Sequence, residues 1–351
     1  MTKLRFGIVG AGSISKISCR EILSHVDATI VAAADTSAPR LQELAEACAI
    51  PRTYADAHAL FADAQVDAVY IAVPNVFHAP LAMAALKAGK HVLLEKPFAI
   101  NLAEAEAVAA VARSVDVHFM LAMNQRFVRS AQKIRALVAA GTLGEIYHVK
   151  AFWRRRAGIP RIGSWFGDKA LSGGGGLLDI GVHMLDLALH TIDNFAPLTV
   201  SGVTATRFGN RGLGDGNWGS SERERTSFDA DDFASAFIRL KGNVSLTLDA
   251  TWAGHQEFAS ENDVLLYGSE GGASIYGDKL FRNGAARGEY DVVQSPRAAV
   301  AFPHANRFHH FVNVVLGRES SCIKLDQALA VQRILDGIYA SAASGREVVL
   351  S

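Results

Sequence analysis

Cysteine is scarce in this chain, with three residues (Cys19, Cys48 and Cys322) in 351. They are odd in number and far apart, so they build neither a disulfide framework nor a zinc-binding spacing. An excess of charge of either sign is missing as well, since 35 Lys and Arg balance 35 Asp and Glu. That balance removes the attraction on which non-specific nucleic-acid binding depends, and no long run of like charge restores it locally. The one basic cluster is Arg154, Arg155 and Arg156, with Arg161 close behind. No apolar run approaches the ~20 residues that span a bilayer, so no membrane partner is expected. Met1–Gly10 leads straight into a strand pattern without a secretory apolar segment, which points to a cytoplasmic location. Hydrophobic residues, by contrast, make up 50% of the chain. That is enough for a large core, and a chain of this length is expected to divide it between two domains.

Over residues 1–124, short continuous apolar runs alternate with helical stretches. The runs are Leu4–Val9, Ala28–Ala34, Ala68–Val73, His91–Leu94 and Val117–Ala122. Among the helical stretches are Pro39–Cys48, His78–Ala88 and Leu102–Ser114, the last opened by Asn101 as an N-cap. This alternation predicts a parallel sheet covered on both faces, a doubly wound α/β domain. From residue 125 to 351 the rhythm changes. A helix over Ala131–Ala140 and a long strand from Ile146 towards Arg156 precede the run Gly173–Gly176 and an apolar helix over 178–191. Strands then follow one another, among them Leu198–Ala205, Phe233–Leu240 and Val244–Thr251. In the last, Val244, Leu246 and Leu248 alternate with Ser245, Thr247 and Asp249, as expected of an antiparallel sheet with one wetter face. Residues 207–230 read as an exposed loop, and helices over Phe308–Leu316 and Asp326–Ser344 close the chain.

Three constellations carry possible chemistry. Gly10-Ala-Gly12-Ser13-Ile14-Ser15 follows the first strand and opens a helix. Gly10 permits the tight turn, Gly12 lets a pyrophosphate approach the backbone, and the helix N-terminus offers it N–H groups. Asp35, at the end of the second strand, is placed to accept hydrogen bonds from a ribose and to repel a 2′-phosphate. An ordinary glycine turn is the plain alternative. Val92-Leu-Leu-Glu95-Lys96-Pro97 delivers a charged pair at the carboxyl end of a buried strand, where such sheets bind ligands; a solvated edge is the alternative. Pro97 is a candidate cis proline. Pro74-Asn75 and His78 end the preceding strand in the same way. After the glycine run, Asp179 and His183 are spaced i, i+4 on one helix face. A carboxylate beside the imidazole would fix its tautomer and raise its basicity, predicting a pH–rate rise between about 6 and 8. A satisfied core pair is the alternative. His183 and Asp186 also have ligand spacing, but the only other His cluster is His309-His310, whose side chains point apart on a helix, so no metal is expected.

In order and spacing these motifs resemble the Gfo/Idh/MocA family of sugar and polyol oxidoreductases, over nearly the whole chain. The resemblance implies a Rossmann domain followed by an α/β domain with a large, mostly antiparallel open sheet, which pairs with its counterpart in a homodimer or homotetramer. It implies NAD as cofactor, with NADP left open by Arg40, held by Gly10, Gly12, Ser13, Ile14, Asp35, Pro74, Asn75, His78, Glu95 and Lys96. Lys96, Asp179 and His183 fall on the family's catalytic positions. Arg126, Trp153, Arg156, Trp165 and Phe166 are the candidates for contacts with a carbohydrate or polyol. Ser15, where the glycine motif has Gly or Ala, is a minor departure. The reaction implied is hydride transfer between nicotinamide and a secondary hydroxyl or its ketone. Family members that cleave glycosides through transient oxidation, and one that senses a ligand without turnover, supply the alternatives.

Overall fold

The computed structural model describes residues 3–218, 227–286 and 288–350. Six strands form the first sheet: β1 (Leu4–Val9), β2 (Ala28–Ala34), β3 (Thr53–Tyr54), β4 (Ala68–Ile71), β5 (His91–Leu94) and β6 (Phe119–Leu121). Their order is β3-β2-β1-β4-β5-β6, and every neighbouring pair is parallel. Strands buried on both faces explain why these segments read as unbroken apolar runs; Ala68–Ile71 has all four residues buried. The chain order reverses between β1 and β4, and ligands of such sheets bind in the crevice at that switch point.

Nine strands form the second sheet: β7 (Ile146–Arg155), β8 (Pro197–Ala205), β9 (Phe233–Leu240), β10 (Val244–Thr251), β11 (Ser260–Gly268), β12 (Gly272–Ser274), β13 (Lys279–Asn283), β14 (Tyr290–Gln294) and β15 (Val348–Val349). Only the β7–β10 pair is parallel; the other neighbours are antiparallel. The alternation in β10 has the expected consequence, with Leu246, Leu248 and Ala250 buried. Asn101 caps the helix Leu102–Arg113 through its side chain, which accepts a 2.9 Å hydrogen bond from the Glu104 N–H.

The expected apolar helix over 178–191 is two structures in series. Leu177–Gly181 is a π-helical turn, and the α-helix runs only over Val182–Ile192. The segment 207–230 also differs from a simple exposed loop. Gly209 is buried, and the Asp232 carboxylate accepts hydrogen bonds from the N–H groups of Arg207, Phe208 and Gly209. Residues 219–226 of that segment lie outside the described residues. Near the C-terminus the chain returns to the first sheet. On the helix Arg307–Val315, Phe311 lies 6.0 Å from Phe6 of β1 and Phe308 lies 5.1 Å from Tyr70 of β4, ring centre to ring centre. No helix among the described residues is long and apolar enough to cross a membrane.

Candidate active site

A cleft of about 1400 Å³, open to solvent, runs from the β1–β4 switch point to the glycine run 173–176. At its first end Gly10 has φ +96°, and a Cβ there would stand 2.2 Å from the Ala72 carbonyl oxygen, so only glycine permits the approach. The helix Ser13–Leu23 starts at Gly12 without a side-chain cap. Apart from its chain neighbours, no heavy atom among the described residues lies within 4 Å of the place a Gly12 Cβ would take. First-turn N–H groups beside open space are what an anionic pyrophosphate needs. Ser13 and Ile14 line this end, as does Asp35, whose Oδ2 accepts from the Ala11 N–H at 2.6 Å and Oδ1 from the Ser37 N–H at 2.7 Å. Each carboxylate oxygen keeps a lone pair for a ribose hydroxyl. Ser15 is fully buried and its hydroxyl donates to the Gly10 carbonyl at 2.7 Å, so the departure from the glycine motif pins the turn to the helix. These residues fit a dinucleotide.

At the middle of the cleft, Asn75 and His78 serve mainly as ties. Asn75 donates to the Ser172 carbonyl at 2.7 Å. The His78 ring nitrogens face the carbonyls of Pro97 at 2.8 Å and Val73 at 3.1 Å, joining the β4 loop at Pro74 to the Lys96–Pro97 turn, whose peptide bond is cis. Glu95 is held by the Tyr70 hydroxyl at 2.7 Å and by Arg307 at 3.3 Å. Arg307 comes from the start of the helix Arg307–Val315, 212 residues further along the chain, and lines the same cleft; nothing in the local sequence around it signals that role.

Lys96 and Asp179 meet across the cleft. The Lys96 ammonium donates to Asp179 Oδ1 at 2.9 Å and to the Asp179 carbonyl at 3.1 Å. Asp179 Oδ2 accepts from the Trp252 indole N–H at 2.8 Å. Burial pushes the Asp179 carboxyl up, but Lys96, Arg155 and the Trp252 hydrogen bond together hold it below its ordinary range. The expected Asp179–His183 hydrogen bond is not formed among the described residues, and the buried His183 Nδ1 has no partner. The π-turn explains the miss, because its i→i+5 winding spoils the i, i+4 alignment assumed for an α-helix. The expected rise in imidazole basicity is likewise corrected. Burial, and then the Lys96 charge, push the His183 pKa well below 6.5, while Asp179 opposes them more weakly.

Of the five candidates for substrate contacts, Trp165 and Phe166 line the cleft, stacked at 3.8 Å. Trp153 stands beside the histidine, its ring centre 6.2 Å from that of His183. Arg126 and Arg156 are corrections. Arg126 is 1% exposed and forms a bidentate pair with Asp186 at 2.8 and 2.5 Å. Its remaining nitrogen donates to the Cys322 carbonyl and to Gln327. Arg156 is exposed and bonds the carbonyls of Gln256 and Glu257. Its neighbour Arg155 is the arginine that faces inward, stacked 4.6 Å over Trp153. Alternation along β7 puts 153 and 155 on one face, a signal that was available. The period of β10 likewise extends from Leu248 and Ala250 to Trp252.

His310 does not pair with His309. It joins His304 and Glu319, whose ligand-type atoms lie within 4.8 Å of one another. The ring nitrogens turned away from Glu319 accept backbone N–H bonds from Cys322 and Asn306, so those facing it carry the protons. Glu319 is thereby satisfied without a cation.

Residues 4–123 match the family model "Oxidoreductase family, NAD-binding Rossmann fold", and residues 131–274 match the GFO/IDH/MocA C-terminal domain. The chain belongs to the Gfo/Idh/MocA oxidoreductase family. Among its Gfo/Idh/MocA relatives, a D-glucoside 3-dehydrogenase of Escherichia coli K12 is 29% identical over 348 residues, covering 99% of this chain and 97% of that protein. A myo-inositol 2-dehydrogenase of Thermotoga maritima is 32% identical over 185 residues, covering 53% and 54% respectively. The crystal structure of an NAD-binding protein from Listeria innocua superposes with a TM-score of 0.81 at 26% identity, covering 99% of this chain and 97% of that one. As a Gfo/Idh/MocA protein the chain is an oxidoreductase acting on CH–OH groups, with an NAD-binding Rossmann domain.

Proposed function

We propose that this enzyme moves a hydride between NAD and a secondary hydroxyl, or its ketone, on a sugar, sugar derivative or polyol. The observation that carries the reading is the Lys96–Asp179 contact at 2.9 Å, beside His183 on the wall of the dinucleotide cleft. Gly10, Gly12, Ser13, Ile14, Asp35, Pro74 and Asn75 would hold the cofactor, with His78 and Glu95 fixing the loops around it. When bound, the nicotinamide supplies the acceptor or donor of the hydride. Lys96 hydrogen-bonds the reacting oxygen, and Asp179 holds Lys96 in place. In the oxidising direction the neutral His183 imidazole takes the hydroxyl proton. Trp165 and Phe166 offer aromatic faces to a ring, and relatives named for a glucoside and for myo-inositol support a polyhydroxylated ring as substrate. Residues 1–124 would form the cofactor unit and 125–351 the substrate unit. The exposed Val203, Phe281 and Val292 on the second sheet support a homodimer or homotetramer built through it. Assay of the purified protein with NAD or NADP against sugars and polyols, following NADH absorbance, tests the reading. Release of an aglycone without net NADH would overturn it in favour of hydrolysis.

Two further outcomes are expected. A 2′-phosphate would meet the Asp35 carboxylate, so NADH should bind at least about tenfold more tightly than NADPH, a difference of ~1.4 kcal/mol. Tighter binding of NADPH in a fluorescence titration would transfer the decision to Arg40. Because burial and Lys96 disfavour the imidazolium, His183 stays neutral well below pH 6.5. The oxidation rate should therefore show no His183 limb between about pH 6 and 8 and should fall only at more acid pH. An acid limb inside that window, lost in His183→Asn, would contradict the assignment.

A further inference from the structure

The side chain that orders the Lys96–Asp179 contact is an indole. Trp252 is fully buried and follows directly on β10, whose Ala250 methyl is within 3.0 Å of where a Gly181 Cβ would stand. Its backbone N–H donates to the Asp232 carbonyl at 2.8 Å, and Phe166 packs edge-on against its ring at 6.3 Å. Fixed at its backbone by Asp232 and at its ring by Phe166, it has one polar side-chain atom to place, and that atom donates to Asp179 Oδ2 at 2.8 Å. The carboxylate is thus bonded through Oδ1 to Lys96 and through Oδ2 to Trp252, and through neither to His183.

The backbone under Asp179 is fixed independently. Asp231 accepts from the N–H groups of Gly175 at 2.7 Å and Leu177 at 3.0 Å and from the Tyr339 hydroxyl at 2.7 Å. A Cβ on Gly175 would lie 1.9 Å from the Asp231 carbonyl oxygen. The start of the π-turn is thus clamped, but its carboxylate could still swing about its own side-chain bonds towards His183. The indole on Oδ2 and the Lys96 ammonium on Oδ1 oppose that swing from two sides.

We propose that Trp252 is a positioning residue: its N–H selects the Asp179 rotamer that serves Lys96. The inference rests on the reading of Lys96 as the group that meets the reacting oxygen. An indole is suited to this task because it donates and cannot accept, so its bond to the carboxylate is stronger than its bond to the neutral acid.

The test compares Trp252→Phe, which keeps an aromatic ring and loses the N–H, with Trp252→His, which regains a ring N–H. In Trp252→Phe, kcat is expected to fall about tenfold with KM for NAD unchanged, and the limb of kcat set by Asp179 protonation, as distinct from that of His183, to rise by about one pH unit. The Asp179 carboxyl, followed by ¹³C NMR in the cofactor-free protein, should titrate higher by the same interval, and Trp252→His should recover part of both shifts. A lower melting temperature with neither the limb nor the Asp179 titration moved would make Trp252 a packing residue and overturn the assignment. In the unsubstituted protein the Trp252 indole N–H resonance should follow the Asp179 titration; an indole signal indifferent to it also overturns the assignment, whether or not the variants fold. Should Lys96→Met turn over normally while the Trp252→Phe carboxyl shift persists, the fault lies with the role given to Lys96 and not with the tie between Trp252 and Asp179.

Discussion

Lys96→Met is expected to lose at least ~100-fold in kcat while binding NADH within a few-fold of the unsubstituted enzyme. Methionine keeps most of the length and apolar stem of lysine, so the cleft wall is preserved. It removes the ammonium that touches both Asp179 Oδ1 and the Asp179 carbonyl. Positioned proton donors and acceptors contribute ~10²–10⁴-fold to such reactions, and here a second loss adds to the first. The buried Asp179 carboxylate would keep only the Trp252 hydrogen bond, and burial would then push its pKa up and favour the neutral acid. Single-turnover rates and a fluorescence titration of NADH together separate chemistry from binding. Near-normal turnover would return Lys96 to the edge of a strand with no part in the reaction.

Arg126→Met should leave the chemistry alone and strike the fold. The Arg126 and Asp186 side chains are 0% and 1% exposed, and the pair is bidentate. Removing one partner of a buried pair leaves an uncompensated charge and costs ~3–5 kcal/mol, a large share of the ~5–15 kcal/mol that holds a domain folded. The double variant Arg126→Met with Asp186→Leu should recover much of that loss, since a volume-filling apolar pair carries no desolvation penalty. Urea unfolding of the three proteins measures both statements. If Arg126→Met instead raised KM for a sugar at unchanged stability, the arginine would be a substrate contact after all.

Five strands of the first sheet are legible because burial on both faces writes an unbroken apolar run, while β3 (Thr53–Tyr54) is too short to carry a pattern; Asp35, Glu95 and Lys96 are legible because they stand where such runs end. The second half was harder. The two-residue strand Val348–Val349 is too short to carry a period, and β13 and β14 have mostly exposed residues, so neither stands out as an apolar run. At the site, what escaped was whatever depends on contacts distant in sequence. Asp179 and Trp252 are 73 residues apart, and Glu95 and Arg307 are 212 apart. Spacing alone therefore suggested a partner for Asp179 four residues away, whereas the fold supplies two from other elements. Arg156 is the arginine offered to a sugar by the sequence, but successive residues of a pleated strand face opposite ways, and it is Arg155 that shares the face of Trp153.

The return of the helix Arg307–Val315 to the first sheet has a consequence in time. Phe6 and Tyr70 are 0% exposed in the finished molecule partly because Phe311 and Phe308 rest on them. A growing chain whose first six strands have just emerged lacks that cover. At about 5–20 residues per second, translation takes roughly 10–40 s to reach the helix. Through that interval the ribosome carries a nearly completed nucleotide-binding sheet with an unsealed aromatic face, and chaperone contacts with stalled nascent chains should cluster there until residue 315 has cleared the exit tunnel.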